Sequence, residues 1–161
     1  MTVLTDQSSL LDEGDGPLTL VLLHGWCCRT GNFAAQVNEF SQEHRVVAVD
    51  WEDRMRARGS DRSFRGICKD TIELLVELDV RNPVLCGHSM GGYLALQMAA
   101  QYGFQAKSVL VLDTTMPVTD TVKAAFRAWV DQLTPENFVN FYHTVGSVQF
   151  FKPQEIGDIS E

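Results

Sequence analysis

The 161-residue chain has no apolar run near the ~18 residues that a membrane-spanning helix needs, so a membrane partner is not expected. Residues 1–16 lack the basic start and apolar stretch of a signal peptide. Positive charge is scarce: 13 Lys and Arg stand against 21 Asp and Glu, for a net charge of −8. A broad phosphate-neutralising surface is thereby excluded, and nucleic acid with it. The one basic cluster, Arg54, Arg56, Arg58, Arg62 and Arg65, is interleaved with Glu52, Asp53 and Asp61. It reads as a solvated loop, with a substrate anion or partner contact as the sharper alternative. There are four cysteines; Cys27 and Cys28 are adjacent, and Cys68 and Cys86 lie in or beside apolar runs. No spacing among them suits a metal, so reduced thiols, no metal and a cytoplasmic location are expected.

What is present is a globular core. Hydrophobic residues make up 45% and charged residues 21%, ordinary for a soluble domain of this length. Residues 18–23, 46–49, 84–86 and 109–112 are apolar on successive positions, the pattern of parallel strands covered on both faces. Helical stripes fall between them. Phe33, Val37 and Phe40 form one; Ile67, Thr71, Leu74, Leu75 and Leu78 form another. Residues 93–100 are apolar nearly all round, as in a buried helix, with Gly103 as its stop. Right-handed crossovers then give an α/β fold with a mostly parallel, doubly wound sheet. After Pro117 the character changes. Residues 119–133 read as a helix with Val122, Phe126, Trp129 and Val130 on one face, and Thr134-Pro135-Glu136 opens another. The expected division is 1–117 for the core and 118–161 for a partial helical cap.

Residues 87–91 read Gly-His-Ser-Met-Gly, between an apolar run and an apolar helix. In that strand, turn and helix context the pattern Gly-x-Ser-x-Gly places a nucleophile, Ser89, on a sharp turn at the carboxyl edge of a sheet. The glycines at 87 and 91 allow strand and helix to cross closely. Serine needs a base to take its proton, and the oxyanion formed by attack needs fixed N–H donors. The amide of Met90, at a helix N-terminus, is one such donor.

The chain resembles the N-terminal part of an α/β-hydrolase-fold protein. The resemblance rests on Leu22-Leu23-His24-Gly25-Trp26, Val49-Asp50, Gly87-His88-Ser89-Met90-Gly91-Gly92 and Leu110-Val111-Leu112-Asp113. It implies Trp26 as the second oxyanion-hole donor, or else a packing residue at a loop base. It also implies Asp113 as the acid that orients the base, or else a turn cap before Thr114-Thr115. The family's base is a histidine near the C-terminus, after the last strand, and nothing here matches it. His24 and His88 occupy structural motif positions, His44 lies in a polar stretch, and His143 falls in the cap-like segment. The chain is therefore expected to be a fragment of a longer protein, and alone to be unstable, inactive or dimerised through exposed apolar surface.

The implied activity is that of a serine hydrolase acting on a carboxylic ester or related acyl or C–C bond, without cofactor. Gly25-Trp26-Cys27 and Asp50-Trp51 are also similar to segments of the cofactor-independent quinolone dioxygenases of this fold. Those enzymes place histidine where Met90 stands and tend to place tryptophan where Thr114 stands. A ring-cleaving dioxygenase acting on a 3-hydroxy-4-quinolone is thus the alternative, and a non-catalytic small-molecule-binding form the second. The substrate expected is a small apolar or aromatic molecule, suited to Phe126, Trp129, Phe138, Phe141, Tyr142, Phe150 and Phe151; these aromatics read equally as the packing face of cap helices.

Overall fold

A computed structural model of the chain describes residues 9–59, 61, 63–114, 119–141 and 144. The chain divides into two compact units, residues 1–115 and 116–161.

Five strands form one sheet in the first unit: β1 (Leu10–Glu13), β2 (Thr19–Leu23), β3 (Arg45–Val49), β4 (Val84–His88) and β5 (Ser108–Leu112), in the order β1-β3-β2-β4-β5. The pairs β2–β3, β2–β4 and β4–β5 are parallel, as the continuous apolar runs require. β1 is antiparallel to β3, with Leu10 opposite Val49. β1 is not among the strands expected from the apolar runs, since residues 10–13 mix two leucines with two acidic residues. Leu11 alone there is buried, and a four-residue edge strand carries little pattern of its own.

Alternation along each strand sends side chains to two cores. Val21, Leu23, Val47, Val49 and Leu85 pack on one face with Ile67, Leu74 and Leu75 of α3 (Phe64–Glu77) and Leu94, Ala95 and Met98 of α4 (Met90–Ala100). Leu22, Val46, Ala48 and Cys86 pack on the other with Phe33 and Val37, from a 3₁₀ turn (Thr30–Phe33) and α1 (Ala34–Phe40). Fully burying one such aliphatic side chain contributes about 1.5–3 kcal/mol. Gly103, at φ +64°, closes the turn after α4, and the Phe104 amide donates back to the Met98 carbonyl.

Residues expected to form a charged loop after β3 are instead α2 (Trp51–Arg58). Asp50 caps it by accepting from the Asp53 amide at 2.9 Å, and Gly59 ends it at φ +62°. Within the basic cluster, Arg54 donates to the Asp70 carbonyl and to Glu77 on α3, and Arg56 pairs with Glu52 one turn back. Fixed charge pairs, rather than an apolar stripe, cover this helix, so hydrophobic periodicity does not reveal it. The side chains of Arg58 and Arg62 lie outside the described residues.

β5 is the edge strand opposite β1, and Leu110, Val111 and Leu112 on it are exposed. In the second unit, α5 (Asp120–Val130) begins where residues 119–133 predict a helix. Val122 on its expected stripe is half-buried and Val130 exposed, while the Phe126 and Trp129 side chains lie outside the described residues. Thr134 caps the following turn, its hydroxyl accepting from the Asn137 amide. Tyr142, His143, Phe150 and Phe151 lie outside the described residues. No helix among the described residues is long and apolar enough to cross a membrane.

Candidate active site

β2, β4 and β5 run parallel and adjacent, so their carboxyl ends share one edge of the sheet. Register fixes what meets there. Leu23 pairs with Gly87, and His88 with Leu112. Trp26, Ser89 with Met90, and Asp113 each follow the end of one of these strands, so three segments far apart in sequence reach the same edge.

Ser89 sits between β4 and α4 at φ +50° and ψ −117°. A non-glycine residue held there costs of order 1–3 kcal/mol. A comparison within the chain shows what that conformation does. Ser63 is the N-cap of α3, has extended backbone (φ −67°, ψ 155°), and spends its hydroxyl accepting from the Gly66 amide at 3.2 Å. Ser89 is the N-cap of α4, yet its side chain makes no capping hydrogen bond. In this strained conformation the hydroxyl does not satisfy the helix end, as an N-cap serine ordinarily does.

Three backbones cross under this turn. A Cβ on Gly87 would collide with the Gly91 carbonyl, and one on Gly91 with the Leu23 carbonyl oxygen and, at 2.6 Å, with that of His24. Close approach of β2, β4 and α4 is the reason both positions carry glycine.

The loop after β2 is a tight turn in which the Cys28 amide donates to the Gly25 carbonyl at 3.2 Å. Cys27 takes the left-handed position of that turn, at φ +59°, where glycine or asparagine is usual. Trp26 is half-buried beside it. Gly25 packs on the elbow: a Cβ there would stand 3.1 Å from His88 Nδ1 and 3.2 Å from Ser89 Cβ. Met90 is the first residue of α4, so its N–H has no partner within the helix. Burial pushes the Cys27 thiol up to about 11, helped by the nearby charge of Glu52 and by Cys28. Burial raises Cys28, Cys68 and Cys86 as well, and all four thiols are free.

Beneath the loop lies a polar cluster whose members no local sequence pattern links. His24 is 1% exposed and Asp50 2%. His24 Nδ1 is 2.8 Å from the Gly25 carbonyl, which can only accept, so Nδ1 donates. Nε2 stands 3.5 Å from Asp50 Oδ1, an electrostatic contact longer than a well-formed hydrogen bond. The ring stacks on Trp51, whose indole N–H donates to the His24 carbonyl at 3.0 Å. Arg29 reaches Asp50 Oδ2 at 3.4 Å from the solvent side. Burial alone would raise the Asp50 carboxyl; His24, the Asp53 amide and Arg29 outweigh it and hold it below the usual carboxylate range. A signal was present in the strand order. His24 and Asp50 each directly follow the registered pair Leu23 and Val49 of two adjacent parallel strands.

The histidines divide by position. His24 lies in its buried cluster, with Nδ1 on the Gly25 carbonyl and Nε2 facing Asp50 at 3.5 Å. His44 precedes β3, at the opposite edge of the sheet. His88 packs against Gly25, and His143 lies outside the described residues. Asp113 is exposed, at φ +47°, at the end of β5. Among the described residues no three His, Cys, Asp or Glu side chains converge as metal ligands.

Comparison with known proteins agrees with this architecture. A family model described as the alpha/beta hydrolase family matches residues 20–157. Over 106 residues the chain is 32% identical to a pimeloyl-[acyl-carrier protein] methyl ester esterase of Nitrosospira multiformis, covering 63% of this chain and 40% of that protein. Over 121 residues it is 34% identical to a 2-heptyl-3-hydroxy-4-quinolone dioxygenase of Rhodococcus erythropolis, covering 73% of this chain and 44% of that protein. The solved structure of an enzyme that cleaves the ring of the Pseudomonas quinolone signal superimposes with a TM-score of 0.61 at 27% identity, over 81% of this chain and 50% of that one. The chain thus spans less than half the length of these curated relatives. A match reaching from β2 into the second unit makes this chain a member of the alpha/beta hydrolase family, with similarity to its quinolone dioxygenases.

Proposed function

We propose that the chain carries the nucleophile and oxyanion-binding half of a serine hydrolase acting on a carboxylic ester or related acyl compound. The observation that carries this reading is the contrast between the two N-cap serines: Ser63 caps its helix, and Ser89 is held in a strained conformation that leaves its hydroxyl out of the cap. Attack by Ser89 on an acyl carbon would place negative charge on oxygen beside the α4 N-terminus, where the Met90 amide and the helix dipole favour it. Trp26 is proposed as the second donor, from the turn that packs against Ser89 through Gly25. Asp113, at the same edge, is proposed as the acid that orients a base. Residues 118–161 are proposed as part of a cap over an apolar or aromatic substrate. The exposed β5 leucines and valine support self-association, which sedimentation at several concentrations would detect.

A fluorophosphonate probe tests the reading. With the base-supplying half present, label should appear on Ser89 and vanish in Ser89→Ala; a Ser89 left unlabelled under those conditions refutes a reactive serine.

The second reading, a cofactor-independent dioxygenase, is favoured by the 34% identity to a quinolone dioxygenase. It predicts O₂ consumption with a 3-hydroxy-4-quinolone that largely survives Ser89→Ala. A binding module would do neither, yet would be stabilised by its ligand.

A further inference from the structure

We propose that Thr114 is a positioning residue for the elbow, resting on the reading of Ser89 as nucleophile. The elbow is tied to the end of β5 at two points. The Ser89 amide donates to the Leu112 carbonyl at 2.9 Å, and Thr114 Oγ1 donates to the Ser89 carbonyl at 2.8 Å. Thr114 Oγ1 is also 3.3 Å from the Leu112 carbonyl, but a hydroxyl carries one proton, and the shorter contact takes it.

Both peptide groups flanking the strained residue are thereby held by the segment that carries Asp113. Rotation of Ser89 out of φ +50° would have to break one of these bonds. The Ser89 carbonyl also accepts the Gly92 and Tyr93 amides of the first turn of α4, so the threonine hydroxyl joins the strand end to the helix start. Space for it exists because position 92 is glycine. A Cβ on Gly92 would occupy the place of Thr114 Oγ1. Gly92 and Thr114 therefore act as a pair, one vacating the volume that the other fills. The clamp also fixes the spacing between the nucleophile and Asp113, which lies between the two anchor residues Leu112 and Thr114.

Thr114→Val keeps the shape and removes the donor, and Thr114→Ser restores it. Native-state hydrogen exchange on the full chain reads the clamp directly, whether or not Ser89 reacts. In Thr114→Val the Ser89, Gly92 and Tyr93 amides should exchange at least tenfold faster, with Val21 and Val47 in the central strands unchanged. Thr114→Ser should exchange like wild type. Fluorophosphonate labelling of Ser89 should slow by tenfold or more in Thr114→Val and recover in Thr114→Ser. Unchanged exchange in Thr114→Val overturns the clamp, as does Thr114→Ser behaving like the valine variant. Faster exchange with an unchanged labelling rate overturns the positioning role. Wild type that takes no label even with the base-supplying half present defeats the hydrolase reading, and the exchange arm still decides the clamp. If Thr114→Val does not fold, Thr114→Ala carries the same two comparisons.

Discussion

His24 and Asp50 face each other at 3.5 Å, both essentially excluded from solvent, directly under the loop that carries Trp26. Each follows the last residue of a central strand, and Trp51 closes the cluster by stacking on the imidazole and bonding its backbone. The Asp53 amide and Arg29 also reach the Asp50 carboxylate, so its cost of burial is offset from several directions.

Asp50→Asn keeps an N-cap as good as the aspartate and removes only the charge. The variant should lose about 1–3 kcal/mol, the range for altering a buried, hydrogen-bonded charged group. Urea unfolding at pH 7 measures it, and a loss below 0.5 kcal/mol would contradict the account of the cluster.

The same pair predicts an acid limb. The folded Asp50 carboxyl lies below its unfolded value, so its contribution is fully present above about pH 4. That contribution is lost as pH falls through the lower, folded value. Wild type should lose stability over this interval more steeply than Asp50→Asn, as urea midpoints from pH 6 down to pH 2.5 would show.

Strain at Ser89 should be recoverable. Ser89→Gly relieves a conformation costing of order 1–3 kcal/mol and adds ~0.4–1 kcal/mol of unfolded-chain entropy. A gain of about 1 kcal/mol is expected, together with loss of fluorophosphonate label. Equal or lower stability than Ser89→Ala would argue against stored strain.

Glycine positions should separate sharply. Gly91→Ala would push a methyl group into the Leu23 and His24 carbonyls and should cost more than about 3 kcal/mol. Gly31→Ala has nothing within 4 Å of the new carbon and should be nearly neutral. Thermal midpoints of the two variants, compared side by side, check the geometry.

Cys27 should be a slow thiol despite being only half-buried. Raising it from 9.0 to about 11 lowers the thiolate fraction at pH 8 about a hundredfold. Iodoacetamide should alkylate Cys27 in the unfolded chain about tenfold faster than in the native one, because the higher nucleophilicity of the native thiolate offsets part of its scarcity; mass spectrometry of the peptide reads the rate. Comparable rates in the two states would refute a desolvated thiol.

Most of the sheet was legible because its information is local. The runs around Val21, Val47, Leu85 and Val109 are apolar on both faces, a property each segment displays by itself. The elbow was legible for the same reason, since Gly87, Ser89 and Gly91 lie within five residues. β1 and α2 were not, because neither has a periodic apolar face: β1 is recognised by pairing with β3, and α2 by charge pairs to α3 and caps at both ends.

By itself the sequence determined the strand and helix alternation, the nucleophile turn and the family to which it belongs. Tertiary structure alone decided what that turn is fastened to. Parallel register made neighbours of His24 and Asp50, 26 positions apart, and brought Thr114 Oγ1 to the carbonyl of Ser89, 25 positions away. Contacts of that kind depend on strand order and on close backbone crossings, and no segment carries either within its own residues.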